Sequence, residues 1–258
     1  MRPSLFYNPE LLCARITEEF RKHRRLRRLK ATWPSWLNFD HIDTMELTAL
    51  AAENGARVFF DIGANVGSWA VMARALVPDC SIIGFEPMEE HLPKFREHTQ
   101  GLERIQLLPL ALGSSESTME FHPASFSDAS SFLPLKEEGK KTWQIDNTAS
   151  RVLQITTLDL AIRTYALPTP ELIKLDVQGF ELEVLKGATH ALEKCRWVLC
   201  EVSFSELYAG QCLFSDVAAF LAQQGFEVHA WGERTPCGRP LLQADVLFRK
   251  DTNRPFSS

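Results

Sequence analysis

Three groups of residues in this chain have types and spacings that could do chemistry. The first is Asp61-Ile62-Gly63-Ala64-Asn65-Val66-Gly67. Gly63 permits a tight backbone turn and Gly67 a close approach to a ligand, though an ordinary strand-to-helix turn uses glycines in the same way. The spacing is GxxxG rather than the GxGxxG of dinucleotide loops. Asp61 stands at the loop mouth, where a pyrophosphate would meet a like charge. A ligand with a positive centre is favoured there instead. The second group is Glu86-Pro87. A carboxylate so placed can accept both hydrogen bonds of a ribose diol, or it is a plain loop-surface glutamate. The third is Lys174, Asp176 and Glu201. Lys174 and Asp176 fall on one face of an extended strand. Two close carboxylates cannot both ionise comfortably without a cation or a donor. The trio therefore reads in three ways. One acid is a general base; the acids hold a divalent metal that activates a hydroxyl; or Lys174 neutralises them in a structural ion pair. The metal reading lacks a third nearby His or Asp.

These residues do chemistry together only if the strands carrying them end side by side. Short apolar, β-branched runs predict strands at 57–62, 81–85, 105–110, 171–176, 196–201, 226–230 and 244–248. Helices are expected at 66–76, 88–98, from Thr157 onward, at 179–191 and at 215–223. Strand–helix alternation implies α/β architecture, with an open, mostly parallel sheet covered on both faces. No helix fits between the last two strands, so they should be antiparallel neighbours. Ligands in such sheets bind beyond the carboxyl ends of the strands, where the strand order reverses. Asp61, Glu86, Asp176 and Glu201 all fall at those ends. The stretch 113–157 is less regular, with a strand at 117–122 and a polar loop through 147. Upstream, a helix over 5–30 breaks at Trp33-Pro34-Ser35-Trp36, and a second over 43–53 ends at the capping pair Asn54-Gly55. His122, His190 and His229 lie away from the strand ends and read as surface or core. Trp69, Trp197 and Trp231 read as packing residues.

Charge is unevenly distributed. Residues 1–30 carry nine Lys/Arg and three Glu, a formal +6, while the other 228 residues carry 19 basic and 30 acidic side chains, a formal −11. An acidic globule with a basic arm does not suit a whole-chain nucleic-acid binder. The arm reads as a solvated helix face or as a peripheral contact with an anionic membrane surface. No apolar run reaches the roughly 18–20 residues needed to span a bilayer, and the basic cluster at 21–30 is followed by no signal-peptide core. The six cysteines form no CxxC pair, which with the chain's length suits reduced thiols in a cytoplasmic protein.

Taken together, Asp61 to Gly67, Gly84-Phe85-Glu86-Pro87, IKLDVQGFELEVLKG over 173–187 and EVSFSELYAG over 201–210 are similar to the FkbM family of S-adenosylmethionine-dependent methyltransferases. The resemblance covers about residues 57–248. It implies a class I methyltransferase domain over 55–250, a Rossmann-like seven-stranded sheet with its last strand inserted antiparallel. Residues 1–54 lie outside it as a helical extension. It also implies O-methylation of a sugar or natural-product hydroxyl. The cofactor, S-adenosyl-L-methionine, has the cationic sulfonium and ammonium that the acidic loop mouth favours; a divalent metal is not favoured. The resemblance places Asp61, Gly63, Ala64, Asn65 and Gly67 around the methionine moiety and Glu86 with Pro87 at the ribose. Adenine falls near Leu110-Ala111-Leu112, with Asp128, Ser130 and Ser131 as candidates to read its amino group. Asp176, with Glu201 and Lys174, lies beside the methyl position. Glu181 enters through the family motif alone, and Tyr208 lies in the loop that could face the acceptor. The competing readings are a Rossmann-like oxidoreductase and a non-catalytic docking protein.

Overall fold

The computed structural model describes residues 42–123, 130–137, 150–235 and 241–251, together with isolated residues between Phe20 and Pro34. The chain divides into two compact units, Met1–Phe39 and Asp40–Ser258. In the first, the described residues from Phe20 to Leu29 are helical. The rest of the expected 5–30 helix, and the expected break apart from Pro34, lie outside the described residues.

The second unit opens with α1 (Ile42–Glu53), which stops at Gly55 in the left-handed conformation. Five strands then follow the expected alternation with helices: β1 (Val58–Ile62), β2 (Ser81–Phe85), β3 (Ile105–Leu108), β7 (Leu172–Leu175) and β8 (Trp197–Ser203). Their helices are α2 (Ser68–Leu76), α3 (Leu92–His98), α4 (Leu158–Thr164), α5 (Glu181–Lys186), α6 (Thr189–Lys194) and α7 (Phe214–Gln223). The hairpin β9 (Phe226–Thr235) and β10 (Gln243–Lys250) completes the sheet, in the order β3-β2-β1-β7-β8-β10-β9. All pairings are parallel except those of β10, which runs antiparallel to both β8 and β9. The strand order reverses between β1 and β7. Phe60, Ile62, Phe85, Ile173, Leu175, Val198, Cys200 and Val246 form the buried core. Central strands sealed on both faces explain why these runs read as nearly unbroken apolar segments.

Three elements differ from the sequence expectation. The third strand stops at Leu108, because Pro109 has no N–H to extend the ladder. The chain then pairs Ala111–Leu112 (β4) in parallel with β6 (Arg151–Thr156) in a second sheet, β4-β6-β5, with β5 at Ser117–Phe121. β6 lies in the stretch read as irregular. Its Val152 is 70% exposed, so the strand has no clean inside–outside alternation to reveal it. The single helix expected over 179–191 is two helices. At the break, a Cβ on Gly187 would lie 2.0 Å from the Gly113 carbonyl oxygen, so the chain passes too close there for any side chain. The Asp159 carboxylate restarts the helix by accepting the amides of His190 and Ala191, each at 2.9 Å. Thr157 caps α4 as expected, its hydroxyl accepting Leu160 N at 3.1 Å. The described cysteines, Cys80, Cys195, Cys200 and Cys212, are free thiols.

Candidate active site

The turn after β1 holds three left-handed residues, Gly63 (φ 79°), Asn65 (φ 47°) and Gly67 (φ 84°). At Gly63 a Cβ would lie 1.9 Å from the Asp176 carbonyl oxygen, so the ends of β1 and β7 meet with no room between them. Gly63 and Ala64 both donate their N–H to the Phe85 carbonyl (3.1 and 3.0 Å), tying the turn to the end of β2. Asn65 N–H donates to Glu86 Oε2 at 2.8 Å and Met88 N–H to Glu86 Oε1 at 2.9 Å. His91 Nδ1 lies 3.2 Å from the same Oε1. The buried Glu86 carboxylate is thus oriented by backbone on both oxygens, and Oε2 keeps a lone pair for a further donor.

Lys174, 7% exposed, projects from β7 towards fully buried Asp61 on β1, its register partner. Its ammonium is 3.1 Å from Asp61 Oδ1, 3.5 Å from Asp176 Oδ2 and 3.3 Å from the Gly63 carbonyl, to which it donates. Neither Asp61 oxygen has hydrogen-bond geometry to a partner. Burial pushes Asp61 up to about 6, with Lys174 offsetting part of the shift. Burial acts to lower Lys174, but Asp61 and Asp176 outweigh it and the ammonium is held charged.

Asp176 directly follows β7, and Glu201 lies in the adjacent β8, which continues past the expected end at 201 to Ser203. Gln178 Nε2 donates to both, 2.7 Å to Asp176 Oδ1 and 2.9 Å to Glu201 Oε2. Gln243 Nε2 adds 3.1 Å to Glu201 Oε2, and Asp245 is the register partner of Glu201 across the antiparallel pair. Thr44 of α1 donates to Asp245 Oδ2 at 2.8 Å. Burial, then Asp176 and Asp245, push the Glu201 carboxyl well above the usual range.

A cleft of about 320 Å³ runs over these strand ends, within the size range of small-molecule sites. Gly63, Ala64, Asn65, Glu86, Pro87, Ala111, Lys174, Asp176 and Glu201 all line it. Asp61 lies beneath the turn, and Gly67 packs on the Phe95 ring, 2.9 Å from where its Cβ would be. Ser130 lines the cleft, whereas the Ser131 hydroxyl donates to the Gln178 carbonyl at 2.7 Å. Asp128 lies outside the described residues. Among the described residues no three His, Cys, Asp or Glu side chains converge as a metal site. Trp69 packs on Phe59, ring centroids 6.1 Å apart, and also borders the cleft. Sequence reasoning did not single out Gln178, Asp245, Thr44 or His91. Asp245 and Thr44 reach the site through the β8–β10 register and the packing of α1, neither of which has a local signature. Gln178 lay in plain view between Asp176 and Gly179.

Glu181 is 4% exposed and its Oε1 accepts the amides of Val177 (3.2 Å) and Gly179 (3.0 Å). Burial pushes its carboxyl from 4.5 up to about 7. An acid raised on folding binds more protons in the folded chain. Its contribution is complete below pH 4.5 and is lost as pH rises through about 7. Thermal denaturation between pH 5 and 8 is expected to show stability falling with pH. Glu181→Gln, which keeps an accepting oxygen, should flatten that fall. Parallel curves for the two proteins would remove Glu181 as a cause.

A seven-stranded sheet with one reversed strand next to its edge, and a cleft at the β1/β7 reversal, defines a class I methyltransferase fold. The family model described as the methyltransferase FkbM domain matches residues 61–228, and the chain belongs to that family. The protein is accordingly a methyltransferase, which sets aside the oxidoreductase and docking readings. It is 31% identical over 201 residues to the 2-O-methyltransferase NoeI of Sinorhizobium fredii, covering 74% of this chain and 79% of that protein. It is 27% identical over 145 residues to the hexuronic acid methyltransferase AglP of Haloferax volcanii, covering 56% of this chain and 55% of that protein. Among solved structures, magnesium protoporphyrin IX methyltransferase from Synechocystis PCC 6803 aligns over 89% of this chain and 91% of its own, at 13% identity and a TM-score of 0.47.

Proposed function

We propose that this protein transfers a methyl group from S-adenosylmethionine to a hydroxyl of a sugar or sugar-bearing metabolite. The observation that carries the cofactor reading is Asp61. It is a fully buried carboxylate under the glycine turn, and neither of its oxygens makes a hydrogen bond. Among the described residues its one close cation is the Lys174 ammonium at 3.1 Å, burial still pushes it up to about 6, and a further cationic group in the turn above favours its charged form. Gly63, Ala64 and Asn65 form the methionine end above buried Asp61, Glu86 and Pro87 the ribose end, and Ala111 with Ser130 the adenine end, while Gly67 and Ser131 support these walls from outside the cleft. When bound, the cofactor supplies an electrophilic methyl group on a sulfonium.

The chain's own residues align the acceptor and take its proton. Asp176, with a side chain 39% exposed, is the reachable carboxylate and acts as general base. Lys174 keeps it and Asp61 compatible, and Glu201 backs it from β8. The 2-O-methyl transfer in one relative's name and the hexuronic acid in the other's support a sugar hydroxyl as acceptor. Residues 55–250 carry the cofactor, and Thr44 of α1, within the same compact unit, borders the acceptor end.

The test is methyl transfer from labelled cofactor to a panel of methyl glycosides, beside calorimetry with S-adenosylhomocysteine. Binding of the latter and labelling of at least one glycoside are expected, unchanged by EDTA. A folded sample that binds no S-adenosylhomocysteine would overturn the cofactor reading, and binding without labelling of any glycoside would overturn the sugar. The basic arm is proposed to touch an anionic surface, for which the check is sedimentation with vesicles of anionic against neutral lipid. No described helix is long and apolar enough to cross a membrane.

A further inference from the structure

Gln178 has more constraints on it than any packing role requires. Its side chain lies in the cleft wall between the two acids. Both protons of its amide are used, one on Asp176 Oδ1 (2.7 Å) and one on Glu201 Oε2 (2.9 Å). Its amide oxygen accepts the Tyr208 hydroxyl at 3.2 Å. Burial raises the Tyr208 phenol, so that hydroxyl remains a donor. With the Tyr208 hydroxyl donating to that oxygen, the amide presents both of its N–H groups to the two acids.

The backbone is equally constrained. Gln178 has φ 52°, the left-handed region that a residue with a side chain occupies at a cost. Such a conformation persists where the surroundings over-determine it. Here Ser131 Oγ donates to the Gln178 carbonyl at 2.7 Å. The N–H groups on either side, of Val177 and Gly179, are both held by Glu181 Oε1. Side chain and backbone are thus anchored from three separate segments.

We infer that Gln178 is a positioning residue. It clamps Asp176 and Glu201 as a pair of hydrogen-bond acceptors and leaves Asp176 Oδ2 as the oxygen that receives the acceptor's proton. An amide cannot accept that proton or pass it on, so the two acids are bridged without sharing one. Asp176 Oδ1 is occupied by the clamp, while Oδ2 faces the Lys174 ammonium at 3.5 Å, beyond a full hydrogen bond. In the transfer, the acceptor O–H bond breaks, its electron pair stays on the acceptor oxygen, and the proton forms a new bond to Oδ2. This step rests on the methyl-transfer reading above; the clamp does not.

Gln178→Glu tests the inference because it keeps the shape and replaces the bridging donor with a third acid. The probe is carbon-13 NMR of the full chain labelled at Asp and Glu carboxyl carbons, with the Asp176 signal assigned by its loss in Asp176→Asn. The Asp176 midpoint is expected to rise by about one pH unit or more in Gln178→Glu, from the lost donor and the added charge. Tyr208→Phe, which only frees the amide to turn, should give a smaller rise in the same direction. With the methyl glycoside panel, Gln178→Glu should lower kcat about tenfold, move the acidic limb of its pH profile to higher pH, and leave KM for the cofactor within about threefold. A merely structural role would lower Tm without moving the Asp176 titration. An unchanged midpoint in folded Gln178→Glu, or in Tyr208→Phe if the first variant does not fold, overturns the clamp. A shifted midpoint with no glycoside labelled leaves the clamp standing and overturns the sugar reading instead.

Discussion

Asp176→Asn is expected to lower the rate of methyl transfer by about 10²–10⁴-fold, the range that a lost general base removes, while S-adenosylhomocysteine binds within about threefold of its normal affinity. The asymmetry follows from the contacts. An asparagine oxygen can still accept the Gln178 amide proton now held at 2.7 Å by Asp176 Oδ1. Lys174 loses a partner at 3.5 Å but keeps Asp61 at 3.1 Å and the Gly63 carbonyl at 3.3 Å. The side chain is 39% exposed, so little is desolvated by the change. What disappears is an atom able to hold a proton. Alignment of the acceptor survives, so the residual rate should stay above background. Single-turnover transfer from labelled cofactor, beside calorimetry, separates the two quantities. A variant within tenfold of normal turnover would remove Asp176 as the base, and a variant that no longer binds S-adenosylhomocysteine would place it in the cofactor site instead.

Lys174→Met should destabilise the fold by about 3–5 kcal/mol, the usual cost of breaking a buried ion pair from one side. Methionine reproduces the length of the stem, so packing changes little and the loss is electrostatic. The Asp61 carboxylate, fully buried and without hydrogen-bond partners, would lose its 3.1 Å cation. Asp61 already titrates at about 6 on burial. Without Lys174 its folded pKa rises further. Since the folded chain then binds the extra proton, the variant should lose stability more steeply as pH rises above the unfolded value near 3.8. The double variant Lys174→Met/Asp61→Asn should recover a large part of the loss, because the pair interacts directly and single effects are not additive there. Urea denaturation of the four proteins at pH 6 and 8 measures this cycle. Additive losses would mean that Lys174 is held by its stem rather than by its charge.

Much of the fold was legible because the chain states it locally. The runs at 58–62, 81–85 and 172–175 are short, mostly apolar and followed by Gly63, Glu86-Pro87 and Asp176, so burial on both faces was readable without coordinates. Asn54-Gly55 and Thr157 marked helix ends by side-chain chemistry that acts within a few residues. The errors fell where a distant partner decides. Gly187 looked like a residue tolerated inside a helix until Gly113, 74 positions away, occupied the space beside it. β6 was missed because its ladder to β4 and β5, rather than an alternating pattern, makes it a strand.

The same division runs through the site. Residue type and strand-end position sufficed to nominate Asp61, Glu86, Lys174, Asp176 and Glu201, because a carboxylate at a loop mouth has a sign and a reach that composition alone makes visible. Which atoms of those residues are free and which are engaged was decided by tertiary structure. Glu86 spends a lone pair of each oxygen on the backbone amides of Asn65 and Met88. Lys174 stands between two acids that are 115 positions apart in the chain. Gln178, an unremarkable amide in the sequence, bridges Asp176 to Glu201 and is itself held from Ser131 and Tyr208. The nine Lys/Arg of the first 30 residues remain a sequence fact, legible as charge alone. Charge and periodicity belong to single residues and short windows, so the sequence alone determined the family, the main sheet and the first candidate acids with their lysine. Hydrogen-bond direction and desolvation depend on every neighbour in three dimensions, so only the folded chain decided how those groups are paired.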